Sequence, residues 1–470
     1  AALGAGLLKF IQSHSIQEWL QVRLIGFREH ALTFPERFGD IVANAFTALH
    51  LKAPAIAGID MRQLTLTPTF DIALMGAGGL MGFRAGVSLL LGGLVNYAIL
   101  APMAIHQGYI EPLSGTMTAG DAVFNFRTIT TWALWPGVAC MVAASFVALF
   151  AKPQAFIAAF SSLTGKKKEG ADVLKHIEFP FIISLVGVPV VSLIAAFMAK
   201  AYFGVEIWVC LVGLPLAFIL SLVAASSTAL TGTTPVGATS KVTQLFYGVV
   251  APGNITTNVA TASLTAETVS NASNLLMDIK PGYMLGAKPR QQAIGHMIGI
   301  VAGSLAAVPL FFLLFINGNP EVDLTTAETT AATIANIQSE EFQMPSATVW
   351  KAIAEALTHG LGNLHSSVLW AAAIGGLLGL LFEVFRIVSK GKFFLSPIAF
   401  GLAFVISFEY ILAMSAGALI FWALGVGREK SEPEMPQNLW VENHEPICAG
   451  IIAGAALMGI LDAVVASFVL

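Results

Sequence analysis

Charged residues are scarce in this sequence. Only 11% of its 470 residues are Asp, Glu, Lys or Arg, whereas 56% are hydrophobic. Soluble domains are about one quarter charged, so this composition excludes a water-soluble protein and indicates one that lies in a lipid bilayer. We expect no nucleic-acid partner.

Cysteines and catalytic motifs are also scarce. The three cysteines, Cys140, Cys210 and Cys448, lie in apolar stretches without paired spacing, which argues against a disulfide framework or a zinc site. The sequence has no Gly-x-Ser-x-Gly motif and no His-Glu-x-x-His motif; after His444-Glu445, Cys448 stands in place of the second His. We therefore expect no enzyme, no catalytic residue, no metal and no cofactor.

The sequence is instead dominated by long apolar runs. A spanning helix needs about 20 mainly apolar residues, and several segments meet this requirement clearly. They are Arg84–Ile105, Thr128–Phe150, Phe179–Phe203, Ile207–Ala225, Ala293–Phe315, Ser366–Val388 and Ile447–Leu470. Shorter or more polar segments bring the total to about ten to twelve crossings. We predict an all-α fold, a polytopic transmembrane helical bundle with discontinuous or re-entrant helices.

The charges in the loops predict sidedness, because cytoplasmic loops carry the excess of Lys and Arg. Lys166, Lys167 and Lys168 form a basic loop, whereas residues 316–346 contain no Lys or Arg and several acids. We place the basic loop inside and predict that residues 316–346 form an extracytoplasmic loop. The stretch Gln12–Leu66 is mixed, and this rule does not place it.

Glycines recur at every fourth residue in three places, a spacing that lets helix backbones approach closely in lipid. The sets are Gly78, Gly82 and Gly86; Gly295, Gly299 and Gly303; and Gly375 with Gly379. We expect these faces to contact other helices.

Residues 226–277 are too polar to face lipid. Ser226–Lys241 combines hydroxyl groups with helix breakers, and Asn254–Met277 is rich in Asn and Thr. Since unsatisfied polar groups in hydrocarbon cost several kcal/mol each, we predict a broken helix followed by a polar helix that lines a cavity. The alternative is a loop followed by an amphipathic surface helix. The candidate substrate-binding residues are Thr233, Thr234, Asn254, Asn258 and Asn271, together with Asn96, Tyr97 and Tyr247.

Isolated acidic residues in or beside apolar segments are functional candidates, because charges in a membrane are costly. They are Asp71, Glu267, Glu383, Glu409 and Asp462. Glu267 lies among amides and hydroxyls, and Glu409 separates two short apolar halves. Because desolvation favours the neutral form of a carboxyl group, we predict that Glu267 and Glu409 bind and release a proton.

The segment Asp278–Gln292, DIKPGYMLGAKPRQQ, resembles the signature of the oligopeptide transporter (OPT) superfamily. The matching residues are Asp278, Lys280, Gly282, Tyr283, Gly286, Pro289 and Arg290. The segment Gly232–Gly237, GTTPVG, is similar to a second element of that family. The signature has two interpretations, a structural turn on a basic cytoplasmic loop or a direct role in substrate binding or gating.

The resemblance is to prokaryotic members and implies proton-driven symport of small peptides across a bacterial or archaeal cytoplasmic membrane. Glutathione-like compounds and metal chelates are alternative cargoes, and a channel or an intramembrane enzyme is the alternative class. The family's N-terminal helices have no counterpart here, so we expect residues 1–470 to be one transmembrane domain that forms the C-terminal two thirds or more of the full protein. The expected partners are a peptide-like substrate and the bilayer; a homo-oligomer stays open.

Overall fold

A computed structural model of the protein describes residues 1–26, 31–36, 38–49, 54–112, 123–151, 153, 157, 177, 179–231, 234, 236–315, 344–360, 364–425 and 443–468. The first helices are α1 (Ala2–Gln12), α2 (His14–Gln17), α3 (Gly39–Ala48), α4 (Ile72–Met81), α5 (Phe83–Gly93), α6 (Ala101–His106) and α7 (Phe126–Phe150). Two π-helical segments, Glu18–Leu24 and Leu94–Leu100, follow α2 and α5.

The later helices are α8 (Phe181–Phe203), α9 (Ile207–Thr231), α10 (Val236–Val250), α11 (Ile255–Met284), α12 (Pro289–Phe315), α13 (Pro345–His359), α14 (Ser366–Val388), α15 (Pro397–Leu402), α16 (Phe408–Gly425) and α17 (His444–Phe468). The chain divides into two units. Unit 1 comprises Ala1–Met141, Pro309–Pro345 and Trp370–Leu470, and unit 2 comprises Val142–Val308 and Ser346–Leu369.

Eight helical stretches of the described residues are long and apolar enough to cross a membrane. They are Phe83–His106, Phe126–Phe150, Ile182–Phe203, Ile207–Ala225, Pro289–Phe312, Ser366–Val388, Phe408–Gly425 and His444–Val465. Each clearly predicted segment coincides with one of them, and α1 and α4 are shorter apolar helices. The predicted polytopic helical membrane fold is confirmed.

Strand structure is limited, in the described part of the chain, to a small hairpin in the stretch that the charge rule does not place. Ala55–Ile56 pairs antiparallel with Ile59–Asp60, with Ala55 opposite Asp60. Arg62 donates from Nη2 to Asp60 Oδ2 at 2.9 Å. This hydrogen bond lowers the pKa of the Asp60 carboxyl below its usual value, so the pair is charged at neutral pH.

Glycine contacts hold the helices of unit 1 close together. A Cβ added to Gly78 on α4 would collide with the backbone of Met414 on α16, and one added to Gly417 on α16 would collide with the backbone of Met75 on α4. This reciprocal contact brings the two backbones together, which is how small residues stabilise helix pairs in lipid.

The other glycine sets behave differently. Gly375 and Gly379 on α14 lie against the backbone of α7, as expected, and Gly86 lies against Ala418. Gly82 instead separates α4 from α5 with a φ of 78°, which a residue with a side chain rarely adopts. A Cβ added to Gly295, Gly299 or Gly303 on α12 would contact no other part of the described chain within 4 Å.

A second break lies between α15 and α16 in unit 1. The helix stops at Leu402, residues 403–407 turn, and helix resumes at Phe408. The sequence predicts Glu409 as the separator, but the structure places the break before it and puts Glu409 in the first turn of α16. Tyr97 donates its hydroxyl to the carbonyl oxygen of Ile406 at 2.7 Å and so ties the π segment Leu94–Leu100 to this turn.

Three of the isolated acids have structural partners. Asp71 caps α4 by accepting a hydrogen bond from the backbone of Leu74 at 3.0 Å. Asp462 accepts from the backbone N–H of Ile16 at 3.0 Å. Glu383 is buried and accepts from Nε of Arg386 at 2.8 Å. These contacts account for the presence of the three carboxylates in apolar segments.

Candidate functional site

The polar helices of unit 2 are buried where they meet each other. α9 ends at Thr231 and α10 begins at Val236, and α11 follows from Ile255. We call the buried polar side chains of α10 and α11 the polar seam. Its members are Thr239, Ser240, Lys241, Thr243, Gln244, Thr257, Asn258, Thr261, Thr265 and Ser273.

Many hydroxyl groups of the polar seam bond to their own helix. Thr261 donates to the carbonyl oxygen of Thr257 at 2.7 Å, Thr265 to that of Thr261 at 2.9 Å, and Thr243 to that of Thr239 at 3.1 Å. These bonds satisfy the hydroxyl donors without water, as buried polar groups in a membrane require. The hydroxyl oxygens keep lone pairs that can accept further hydrogen bonds.

An amide pair joins α10 to α11. Gln244 donates from Nε2 to Asn258 Oδ1 at 3.1 Å and to the carbonyl oxygen of Trp350 at 2.8 Å. Asn258 donates from Nδ2 to the backbone oxygen of Gln244 at 2.7 Å. Oε1 of Gln244 is buried and has no hydrogen-bond partner among the described residues. The polar seam therefore contains an acceptor that no described donor satisfies.

Lys241 is the charged member of the polar seam. It is 6% exposed, and its Nζ donates to Ser145 Oγ at 3.2 Å. The sequence pattern does not indicate this residue, because it ends a run of Gly, Pro and hydroxyl residues that is typical of a loop. The structure places it in the second turn of α10.

The predicted substrate-binding residues are distributed between the two units. In unit 2, Asn258 belongs to the polar seam, and buried Tyr247 donates to the carbonyl oxygen of Val209 at 2.9 Å. The hydroxyl of half-buried Thr234 lies 2.9 Å from Thr228 Oγ1. Thr233 lies outside the described residues.

Two further predicted binding residues have mainly local partners. Asn254 is exposed and accepts from the backbone N–H of Thr257 at 2.9 Å, so it caps α11. Asn271 donates from Nδ2 to the backbone oxygen of Glu267 at 2.9 Å and to Glu267 Oε2 at 3.1 Å. Both stay predictions as substrate ligands.

Asn96 and Tyr97 lie in unit 1, both fully buried on the π segment Leu94–Leu100. Neither polar atom of the Asn96 amide has a partner among the described residues. A buried amide without partners is costly, since each unsatisfied group forfeits its hydration. π-helical segments occur often at functional sites.

The two predicted proton-binding carboxylates differ in environment. Glu409 is buried, and Thr67 donates from Oγ1 to its Oε2 at 3.4 Å. The backbone N–H of Phe408 is capped by Thr65 Oγ1 at 3.0 Å. Glu267 is exposed on α11 in the part of the chain that the structure describes. The two carboxylates thus differ in burial, and both stay predictions as proton-binding residues.

The signature residues lie at the end of α11, in the turn that follows it and at the start of α12. Gly286 has a φ of 90°, its N–H donates to the carbonyl oxygen of Tyr283 at 3.0 Å, and Pro289 begins α12. A Cβ on Gly282 would collide with the side chain of Gln292. The remaining signature side chains are exposed: Asp278, Lys280, Tyr283 and Arg290. The turn and the close contact give Gly282, Gly286 and Pro289 a structural role.

The predicted extracytoplasmic loop, residues 316–346, lies mostly outside the described residues, which do not include 316–343. Within the described ranges, no group of three or more His, Cys, Asp or Glu side chains is arranged to hold a metal ion.

Comparison with known proteins identifies the family. The model of the OPT oligopeptide transporter protein family matches residues 25–466. A putative oligopeptide transporter of Saccharomyces cerevisiae is 22% identical, over 86% of this chain and 59% of that protein. A probable metal-nicotianamine transporter of Oryza sativa subsp. japonica is 22% identical over 88% of this chain and 58% of its own length.

A bacterial relative matches as well. A putative oligopeptide transporter of Haemophilus influenzae is 23% identical over 83% of this chain and 65% of that protein. The chain thus spans less than two thirds of the length of these three relatives, with shares of 59%, 58% and 65%. The family and these relatives are transporters and not enzymes. Because the family model covers nearly the whole chain, this membrane protein belongs to the OPT oligopeptide transporter family.

Proposed function

We propose that the protein is a secondary active transporter that moves small peptide-like molecules across a bacterial or archaeal cytoplasmic membrane, driven by a proton gradient. The observation that carries the proposal is the polar seam, a buried row of hydroxyl, amide and ammonium groups in a membrane protein of a transporter family. Transporters bind substrates with such interrupted and polar helices near the middle of the membrane.

The chemistry of the polar seam suits a peptide. Peptide backbones present both donors and acceptors, and amide and hydroxyl side chains supply the complementary groups. Asn258, Thr234 and the threonines of α11 offer acceptor oxygens, and the Gln244 amide has an acceptor without a described partner.

Glu409 supports the proposed proton coupling. It is buried in the first turn of α16, and Thr67 donates from Oγ1 to its Oε2 at 3.4 Å. A carboxyl group at such a site can bind a proton from one side of the membrane and release it to the other when its surroundings change.

A metal chelate is a second candidate cargo, supported by the similarity to a probable metal-nicotianamine transporter. The described residues offer no cluster of metal ligands. In this alternative, the metal ion would cross the membrane inside its organic chelator, and the polar seam would contact the chelator.

Uptake into proteoliposomes tests the proposal. Radiolabelled di- to tetrapeptides, glutathione and an iron chelate would be supplied with and without an inward proton gradient. We expect gradient-dependent accumulation of peptides, which saturates and supports counterflow. Accumulation of the chelate alone would favour the second candidate. Conductance without saturation would indicate a channel and overturn the proposal.

A further inference from the structure

The charge of Lys241 has no counter-charge among the described residues. Its Nζ donates to the hydroxyl of Ser145, a neutral group, and no described carboxylate lies within ion-pairing distance. A buried ammonium group without an anion is costly, because it loses its hydration and gains only dipoles in return. In membrane segments, such groups usually have a functional role.

Gly237 lies next to this ammonium group. It is exposed in the first turn of α10, one turn before Lys241. Among the described residues, the one atom that a Cβ on Gly237 would approach within 4 Å is Lys241 Nζ, at 3.9 Å. In this part of the chain, the ammonium group is therefore approached past a residue without a side chain, beside the helix end where backbone N–H groups lack intrahelical acceptors.

Gln244 supplies a second unsatisfied group on the same face of α10. It lies one helical turn after Lys241, a spacing that places two side chains next to each other. Its Nε2 donor is used twice, by Asn258 and by Trp350, while its buried Oε1 has no partner among the described residues. The ammonium group of Lys241, which lacks an anion, and Gln244 Oε1, which lacks a donor, thus lie on the same face of α10.

We propose that Lys241 binds a carboxylate group of the transported molecule, which reaches Nζ past Gly237, and that Gln244 Oε1 accepts an N–H of the same molecule. This inference rests on the proposed transport function and adds to it the chemical group that is recognised. The α-carboxylate of a peptide and its neighbouring amide N–H have the required charge and polarity. The hydrogen bond between Lys241 and Ser145 holds the ammonium group in place.

A purely structural role for Lys241 makes a different prediction. If the bond to Ser145 mainly stabilises α10, replacing Lys241 lowers the melting temperature. If the ammonium group serves a ligand, Lys241→Met removes an uncompensated charge, and the melting temperature without ligand stays equal or rises.

The test compares trialanine with trialanine amide, which lacks the carboxylate, in proteoliposomes with an inward proton gradient and the membrane potential clamped at zero. We expect the wild-type protein to accumulate trialanine about tenfold or more above the amide, since a hydrogen bond to a charged group is worth that much. Lys241→Met should reduce trialanine uptake to the level of the amide and leave the amide level unchanged.

Two further variants sharpen the comparison. Gly237→Val should block the approach to Nζ and also remove the preference for trialanine, although Lys241 is retained. Lys200→Met is the matched control, because Lys200 is exposed and pairs with Glu206 at 3.0 Å; it should keep the full preference.

The outcomes separate the two proposals. Equal uptake of trialanine and its amide by the wild-type protein would overturn the role of Lys241 while leaving transport established. That role would also be overturned if Lys241→Met keeps the preference, or lowers both uptakes together with the melting temperature. Accumulation of neither compound by the wild-type protein would reject the peptide-transport proposal on which the inference rests.

Discussion

Gln244 and Asn258 exchange two hydrogen bonds between neighbouring helices. Gln244 Nε2 donates to Asn258 Oδ1 at 3.1 Å, and Asn258 Nδ2 donates to the backbone oxygen of Gln244 at 2.7 Å. Gln244 also donates to the carbonyl oxygen of Trp350 on α13. One buried amide side chain thus connects three helices of unit 2, and the polar seam is part of the packing as well as a candidate site.

Replacement of Asn258 by alanine should destabilise the protein. The change removes Asn258 Oδ1, the acceptor of one hydrogen bond from the buried Gln244 Nε2. Leaving this donor group unsatisfied costs about 1–3 kcal/mol of folding free energy. We expect a lower melting temperature of the purified protein in detergent. Asn274→Ala is the matched control, because Asn274 is exposed on the same helix. Equal melting temperatures for the two variants would show that the amide pair contributes little to stability.

The sequence predicts the helical membrane fold because long apolar runs have one stable solution in lipid, the helix. It does not predict which polar residues of α11 are buried. Thr257, Thr261 and Thr265 recur at every fourth residue and share the buried face, whereas Glu267 and Thr268 are exposed. This four-residue spacing is visible in the sequence and places Glu267 off the face that the three threonines share.

Other features depend on contacts between distant residues. Lys241 ends a segment of loop-like composition, but it is buried and bonds to Ser145, far earlier in the chain. The break before α16 is likewise set by contacts with Thr65 and Tyr97. No local pattern encodes these partners.

Glu409→Gln should uncouple uptake from the proton gradient. Glutamine keeps the size and polarity of the side chain but cannot exchange a proton, so substrate binding survives while coupling is lost. We expect uptake in proteoliposomes to fall to the level measured without a gradient, with counterflow largely intact.

Glu267→Gln is the matched comparison for Glu409→Gln. Because Glu267 is exposed among the described residues, its replacement should leave gradient-driven uptake close to that of the wild-type protein. The reverse pattern, with coupling lost in Glu267→Gln and kept in Glu409→Gln, would assign the proton site to Glu267.

Tyr97→Phe should weaken the turn that precedes α16. The variant loses the 2.7 Å hydrogen bond from the buried hydroxyl to the Ile406 carbonyl oxygen, worth about 0.5–1.5 kcal/mol. We expect a lower melting temperature and a shifted pH dependence of uptake, since Ile406 lies three residues before Glu409 in the segment that leads into α16. Tyr202→Phe, at an exposed site on α8, should change neither quantity. A Tyr97→Phe variant with wild-type stability and pH dependence would contradict this role.

Gly379→Ala should destabilise the contact between α14 and α7. A Cβ at Gly379 would overlap the backbone of Cys140, and a backbone cannot move aside as a flexible side chain can. Overpacking of this kind costs about 1–3 kcal/mol, so the melting temperature should fall.

The neighbouring Gly376 provides the control on the same helix. A Cβ there would lie 3.8 Å from the Cβ of Ala139, an ordinary van der Waals contact. Because alanine favours the helix over glycine by about 0.5–1 kcal/mol, Gly376→Ala should match or exceed the wild-type melting temperature. Equal melting temperatures for the two variants would contradict the prediction. They would show that the contact of Gly379 with the backbone of α7 contributes little to stability.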